Sequence, residues 1–191
     1  MKDTRPIDEL TVSYHNIIRS IYDEDVTREG LLGTPVRAGE AFRFLTSGYT
    51  TDIDLELNGA IFDAEGADQL ILVKNIEFYS LCEHHLLPFF GKVHVGYIPN
   101  GKLIGLSKVS RLVNVFARRL QIQERLTMNI ADELNSRLSP EGVGVIIESV
   151  HLCQSMRGVM KQDAVMRTNA FTGCLLAEDS ARSEFIESIK T

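Results

Sequence analysis

No segment of this 191-residue chain approaches the roughly 18 consecutive apolar residues that a membrane-spanning helix requires. The opening stretch, MKDTRPIDEL, lacks the apolar run of a secretory signal, so the protein is expected to stay in the cytoplasm. Cysteine is scarce. Cys82, Cys153 and Cys174 leave one thiol unpaired under any disulfide scheme, and a reducing compartment favours thiolate ligands over bridges. A basic excess is also missing. The net charge of -6 argues against general nucleic-acid binding, so any anionic ligand must meet a local basic cluster. Internal repeats and low-complexity tracts are absent as well.

What remains is ordinary for a folded soluble protein: 44% hydrophobic and 24% charged residues, in a chain long enough for one sizeable core. We divide it into a helical N-terminal region, 1–69, and a catalytic region, 70–191, acting as one functional unit. Leu10, Tyr14, Ile17, Ile18 and Ile21 recur at helical spacing, which predicts a helix from Ile7 to Tyr22. After the turn-rich REGLLGTP, Thr34 can cap and Pro35 can open a second helix ending near Gly48. Residues 50–69 lack a clear period, although DIDLEL alternates, so a loop with one short strand is expected there.

From Leu70 the texture changes. LILVKNIEFYSLC and KVHVGYIP are rich in β-branched and aromatic residues and read as two antiparallel strands joined by HHLLPFFG. Helical periods follow over Leu106–Leu120 and Ile122–Leu138. GVGVIIESVHLC is a third strand, NAFTGCLLAE a weaker fourth, and DSARSEFIESIK a closing helix. The order strand pair, helix pair, strand pair describes an α+β unit, with helices covering one face of a small antiparallel sheet.

Chemistry concentrates in Cys82-Glu83-His84-His85 and, far along the chain, His151-Leu152-Cys153. Zinc favours thiolate and imidazole, and a catalytic zinc keeps three protein ligands with one open position; Cys82, His85 and Cys153 would supply that set. With HLC on a strand, His151 and Cys153 project to the same face. His84 and His151 then remain unliganded, and imidazoles titrate near neutrality, which suits them for proton transfer beside an activated water. Two other readings stay open here: a closed structural zinc site with His84 or His151 as fourth ligand, or cysteines and histidines that are satisfied core residues.

A second cluster is GLSKVSRL. Ser107 can cap a helix, yet Lys108 and Arg111 fall in its first turn, where the positive end of the dipole disfavours cations. That placement suits an anion, and with free backbone N–H groups the two side chains could grip a phosphate. Arg157, four residues past Cys153, and Arg37, in TPVR, are further candidates. Gln123 and Glu124 open the next helix; they are either surface polarity or an amide and a carboxylate for a guanine edge.

Taken together, SLCEHHLLPFFGKVHVGYIPNGKLIGLSKVSRLV, RRLQIQERLT and VHLCQSMRGV resemble the GTP cyclohydrolase I family, in order and approximate spacing from TREGLLGTPVR to the C-terminus. The resemblance implies a tunnelling fold, an antiparallel sheet with two helices on one side, in subunits assembling as a barrel-like homodecamer of two pentamers with active sites between subunits. It implies zinc on Cys82, His85 and Cys153, acid–base work by His84 and His151, and guanine against Gln123 and Glu124. It also implies that Ser107, Lys108, Arg111, Arg157 and Arg37 bind the triphosphate of GTP. The implied reaction yields 7,8-dihydroneopterin triphosphate and formate. The chain departs from the family pattern at QDAVMRTNA, where a run rich in Ser and Thr is usual and Thr168 is retained.

Overall fold

Asp8 opens the first helix by accepting a hydrogen bond from the Thr11 amide, in a computed structural model that describes residues 8–190. The chain divides into two units, one ending at Thr46 and the other beginning at Ser47. In the first, α1 (Glu9–Arg19) ends three residues before the expected boundary, and Ile7, its expected start, lies outside the described residues. Helix α2 (Glu29–Leu32) occupies the turn-rich stretch, and α3 (Thr34–Leu45) packs against α1, with Tyr14 edge-on to Phe42. Arg43 reaches Asp8 at 2.8 Å. That guanidinium, followed by the Thr11 amide, holds the Asp8 carboxyl down at about 2. Thr34 does not cap. Its hydroxyl donates to the Gly30 carbonyl, Gly33 takes the cap position without a side chain to offer, and Pro35 sits in the first turn as expected.

The second unit holds the sheet. A short 3-10 turn, Ser47–Tyr49, leads to α4 (Ile53–Leu57). The alternating DIDLEL is therefore a helix and not a strand. Asp52 accepts from the Asp54 and Leu55 amides, and this local cap outweighs an alternation only six residues long. The short strand falls later, as β1 (Ile61–Asp63). Next come β2 (Ile71–Cys82), β3 (Pro88–Ile98) and β4 (Lys102–Ile104), then α5 (Leu106–Ala117), β5 (Leu120–Gln121) and α6 (Gln123–Leu138). Strand β6 (Gly142–His151), α7 (Leu152–Ser155), β7 (Met166–Phe171), α8 (Gly173–Ala177) and α9 (Asp179–Lys190) complete the chain.

The expected α+β architecture is present: a five-stranded sheet in the order β5-β2-β3-β6-β7, with α5 and α6 on one face. It is antiparallel except at β5, which joins β2 in parallel through Leu81 and Cys82. Strands β1 and β4 form a separate pair. Val109, Leu112, Val113 and Phe116 of α5 and Leu126, Ile130, Leu134 and Leu138 of α6 pack on Phe78, Val93, Val95, Val145 and Ile147 of the sheet. Each of these side chains stabilises the fold by roughly 1.5–3 kcal/mol relative to exposure.

The opposite face is covered too. Phe185 of α9 is fully buried against Ile146 and Leu175, and it fits because Gly96 and Gly144 lack side chains; a Cβ on Gly96 would lie 2.6 Å from the ring. Beside it, β2 carries a bulge. The register steps from Val73↔Val95 to Ile76↔Val93, so Lys74 and Asn75 oppose His94 alone, and Asn75 takes a positive φ of 61°. His94 is buried and its Nδ1 accepts from the Asn75 amide at 3.4 Å. Burial pushes its pKa down.

Phe185→Ala is expected to cost roughly 3–5 kcal/mol, read as a lower midpoint in urea or thermal unfolding. A loss under about 1 kcal/mol would show that this ring does not hold α9 on the sheet.

Candidate metal centre and its surroundings

The chemistry gathers at one end of the sheet because two strands finish there and a third begins. Strand β2 closes with Cys82, β6 closes with His151, and β3 starts at Pro88, its Phe89 in register with His151. The connection between β2 and β3 is only Glu83–Leu87, since PFFG belongs to the strand. It is a tight loop. The Cys82 amide donates to the Leu87 carbonyl at 2.9 Å, the His85 and Leu86 amides donate to the Cys82 carbonyl, and Leu86 takes a positive φ of 54°. The turn brings His85 Nδ1 to 3.7 Å from Cys82 Sγ.

Cys153 arrives by a different route from the one expected. The strand ends at His151, and Cys153 lies in the helical turn α7, so strand alternation does not place it. The turn nevertheless sets its sulfur within 4.8 Å of the ligand atoms of both Cys82 and His85. Tetrahedral zinc with two thiolates and one imidazole spaces its ligand atoms by roughly 3.5–3.8 Å. Cys82 Sγ and His85 Nδ1, 3.7 Å apart, stand at that spacing, the Cys153 sulfur lies within 4.8 Å of their ligand atoms, and two thiols beside an imidazole suit a borderline-soft ion. Burial, and then the neighbouring Cys82 sulfur, push the Cys153 thiol pKa up, while nearby Arg157 acts the other way. A cation between the sulfurs would reverse that balance.

Among the described residues, this group of three is the set of His, Cys, Asp and Glu close enough to share an ion, and neither His84 nor His151 belongs to it. His84 is exposed, with Nδ1 at 3.9 Å from Cys82 Sγ. His151 is half-buried and stacks on Phe89, ring centroids 4.6 Å apart and planes 5° from parallel. Desolvation pushes its pKa down, and the charge of Glu124 acts in the opposite direction. Glu124 itself is exposed at the start of α6.

Gln123 differs from its neighbour. It is 1% exposed, and its amide Nε2 donates to the Ile147 and Met166 carbonyls at 3.0 and 3.1 Å. Its Oε1 accepts from Ser149 Oγ at 2.5 Å and meets His151 Nε2 at 2.8 Å. Every hydrogen-bonding position of the amide is thus taken within the protein.

The basic residues are split. Gly105, not Ser107, is the N-cap of α5, with no side-chain cap, which leaves Ser107 exposed in the first turn. Lys108 Nζ donates to the Glu56 carbonyl at 2.8 Å, and Arg111 pairs with the Glu56 carboxylate at 2.9 Å. Both cations are tethered to α4. Ser47, Thr51, Glu56, Arg111, Asn114 and Arg118 line a polar pocket there. Arg157 is exposed and close enough to influence Cys153. Arg37, in the first unit, donates to the Gly30 carbonyl and Thr34 Oγ1.

One contact escaped the sequence reading. Arg125 grips Glu83 with two hydrogen bonds, 2.8 and 3.0 Å, and pins the Cys82–His85 loop to α6. Its guanidinium holds the Glu83 carboxyl below the usual range. The two residues stand 42 positions apart, so no local signal announces the pair. Phe89 and Ser149, which shape the surroundings of His151, were missed for the same reason.

The model of the GTP cyclohydrolase I family matches residues 11–190. A GTP cyclohydrolase 1 from Methylococcus capsulatus is 52% identical over 182 residues, covering 92% of this chain and 98% of that protein. Another, from Leptospira biflexa, is 54% identical over 168 residues, covering 88% of this chain and 91% of that protein. A third, from Chlorobaculum tepidum, is 50% identical over 188 residues, with 98% of this chain and 83% of that protein covered.

Arg125→Ala is expected to weaken metal binding about 10- to 100-fold by freeing the loop that carries Cys82 and His85. Competition with a zinc chelator reads this directly, and an unchanged affinity would remove the clamp from the site.

Proposed function

This chain belongs to the GTP cyclohydrolase I family, and on that premise we propose that it hydrolyses and rearranges GTP to 7,8-dihydroneopterin triphosphate and formate, the first step of pterin and tetrahydrofolate synthesis. The observation that carries the reading is the meeting of Cys82, His85 and Cys153, with His84 and His151 left outside the set. Those three groups would hold a zinc ion, which would supply Lewis acidity and lower the pKa of water for hydrolysis near neutral pH. A purely structural ion needs no uncommitted imidazoles beside it.

The remaining groups divide the work. Water adds at C8 of the purine; one imidazole of the His84 and His151 pair takes its proton and the other delivers a proton at N7, so that the imidazole ring opens to a formamide. A second water releases C8 as formate. The ribose rearranges and closes onto the freed amine with loss of water. Two waters enter and one leaves, which balances the conversion. Glu124, exposed beside His151, accepts from the N–H groups of the guanine edge.

Ser107, Lys108 and Arg111 meet the triphosphate at the start of α5, which no side chain caps, and Arg157 and Arg37 add charge to it. Their cationic side chains serve an otherwise acidic chain, and phosphate oxygens replace Glu56 as the partner of Arg111. The protein works as a homo-oligomer, a decamer of two pentamers with sites between subunits. Supporting this, among the described residues β7 has no outer neighbour in the sheet, and β2 pairs with β5 only at its last two residues. Among the described residues no helix is long and apolar enough to cross a membrane. We place the protein in the cytoplasm, where its thiols stay reduced.

Purified zinc-loaded protein incubated with GTP should release formate and give pterin fluorescence after oxidation; nucleotide binding without formate would make it a regulator instead of an enzyme. His84→Ala and His151→Ala should keep zinc and lose turnover by about 100-fold or more, and loss of the metal from either would reassign the ligands. Arg111→Ala should weaken GTP binding far more than guanosine binding, since the contact is to phosphate; equal losses would refute that role.

A further inference from the structure

Gln123 stands at the first position of α6, buried to 1% exposure, in a place where a long polar side chain must satisfy all its hydrogen bonds inside the protein. Two of its partners are backbone carbonyls, Ile147 O on β6 and Met166 O on β7, which can only accept. The NH2 group of the amide must therefore face them. A flipped amide would set its oxygen against two carbonyl oxygens and leave its donors facing away. This fixes Oε1 on the opposite side, toward Ser149 Oγ at 2.5 Å and His151 Nε2 at 2.8 Å. An oxygen that can only accept requires a donor from the ring, so His151 carries its proton on Nε2 and, as neutral imidazole, presents a lone pair at Nδ1.

Two further contacts hold the ring in that setting. Phe89 stacks on it nearly parallel, and Phe89 and His151 are paired in the β3–β6 register, so both are carried by the same ladder. Ser149, two residues earlier on β6, faces the same side as His151 and ties Oε1 from the other direction. Thr127, one turn along α6, donates to the Gln123 carbonyl and contacts Thr168 of β7 at 2.7 Å, securing the start of the helix. The chain leading from two fixed carbonyls to one ring nitrogen contains no free rotor.

We propose that Gln123 is a positioning residue that locks His151 into its Nε2–H tautomer, and that reading the guanine edge falls to Glu124 alone. The proposal rests on the hydrolytic function assigned above. It assigns His151 the part of proton acceptor at Nδ1, because in the neutral ring the other nitrogen is already occupied as a donor to Gln123. His84, exposed and without such a lock, is left as the group that delivers the proton to the purine.

Two measurements test it. Neutron diffraction from crystals of the wild-type protein locates the ring proton without reference to turnover: deuterium on His151 Nε2, aimed at Gln123 Oε1, is the expected result, and a neutral ring protonated only on Nδ1 overturns the proposal. For kinetics, Gln123→Met keeps the volume and removes the amide. Formate release should fall about tenfold or more, while GTP affinity by calorimetry stays within about threefold and the zinc content is unchanged. In a His151→Ala background the same substitution should alter residual turnover by less than about twofold, because the residue it positions is gone; a merely structural role would lower both backgrounds alike.

A rise in the GTP dissociation constant with turnover preserved would restore Gln123 to the guanine edge and end the proposal. Glu124→Gln is the comparison, expected to weaken GTP. Wild-type protein that released no formate would instead remove the functional reading, and the neutron result would still decide the tautomer. Should Gln123→Met fail to fold, that same measurement on the wild type decides the matter.

Discussion

The register of β3 against β6 is the constraint on which the site depends. The ladder runs without interruption from Phe89↔His151 to Ile98↔Gly142, and β2 joins the other side of β3 with Leu81 opposite Pro88. These pairings bring the ends of β2 and β6 to the same edge, although Cys82 and Cys153 are 71 positions apart in sequence. A slip of one residue in either ladder would turn the affected side chains to the other face. Buried pairs such as Val93↔Ile147 and Val95↔Val145, fixed beneath α5 and α6, oppose any slip. The apolar core thus does more than stabilise: it sets the spacing of the ligands.

Much of this was legible in the sequence. Cys82, His85 and Cys153 stood out because their chemistry is narrow and their spacing limited, and the strand and helix order followed from β-branched and aromatic runs and from helical periods of 3.6. What failed was local. DIDLEL alternates like a strand yet is a helix, because Asp52 supplies a cap that a short alternation cannot outweigh. HLC was expected to continue a strand and instead turns helical after His151. Thr34 and Ser107 have the residue type of caps but stand one or two positions inside their helices, whose true cap residues are glycines.

Partnerships between distant residues were beyond reach. Glu83 is the unremarked member of CEHH, and nothing in the sequence singles out Arg125; only the fold reveals a bidentate pair. Gln123 and Glu124 are adjacent in sequence and looked equivalent, yet one is sealed among carbonyls and the other faces solvent. Helical geometry turns consecutive side chains about 100° apart, so neighbours in sequence meet different environments. The basic first turn of α5 was recognised as unfavourable in isolation, and the structure shows its interim remedy in Glu56, a carboxylate from an element the sequence did not reveal as a helix.

The bulge at Lys74 and Asn75 acts as a phase shifter. Ahead of it, odd-numbered Ile71 and Val73 turn toward the α5–α6 core; beyond it, the even-numbered Ile76, Phe78 and Cys82 do so. Pairing both bulged residues one-to-one with β3, with no residue deleted, would restore simple alternation and put the halves of β2 out of step. The strand would then have to choose which half to bury. Keeping the first would rotate Cys82 out of the metal set from a point roughly 23 Å away along the strand, with no ligand altered.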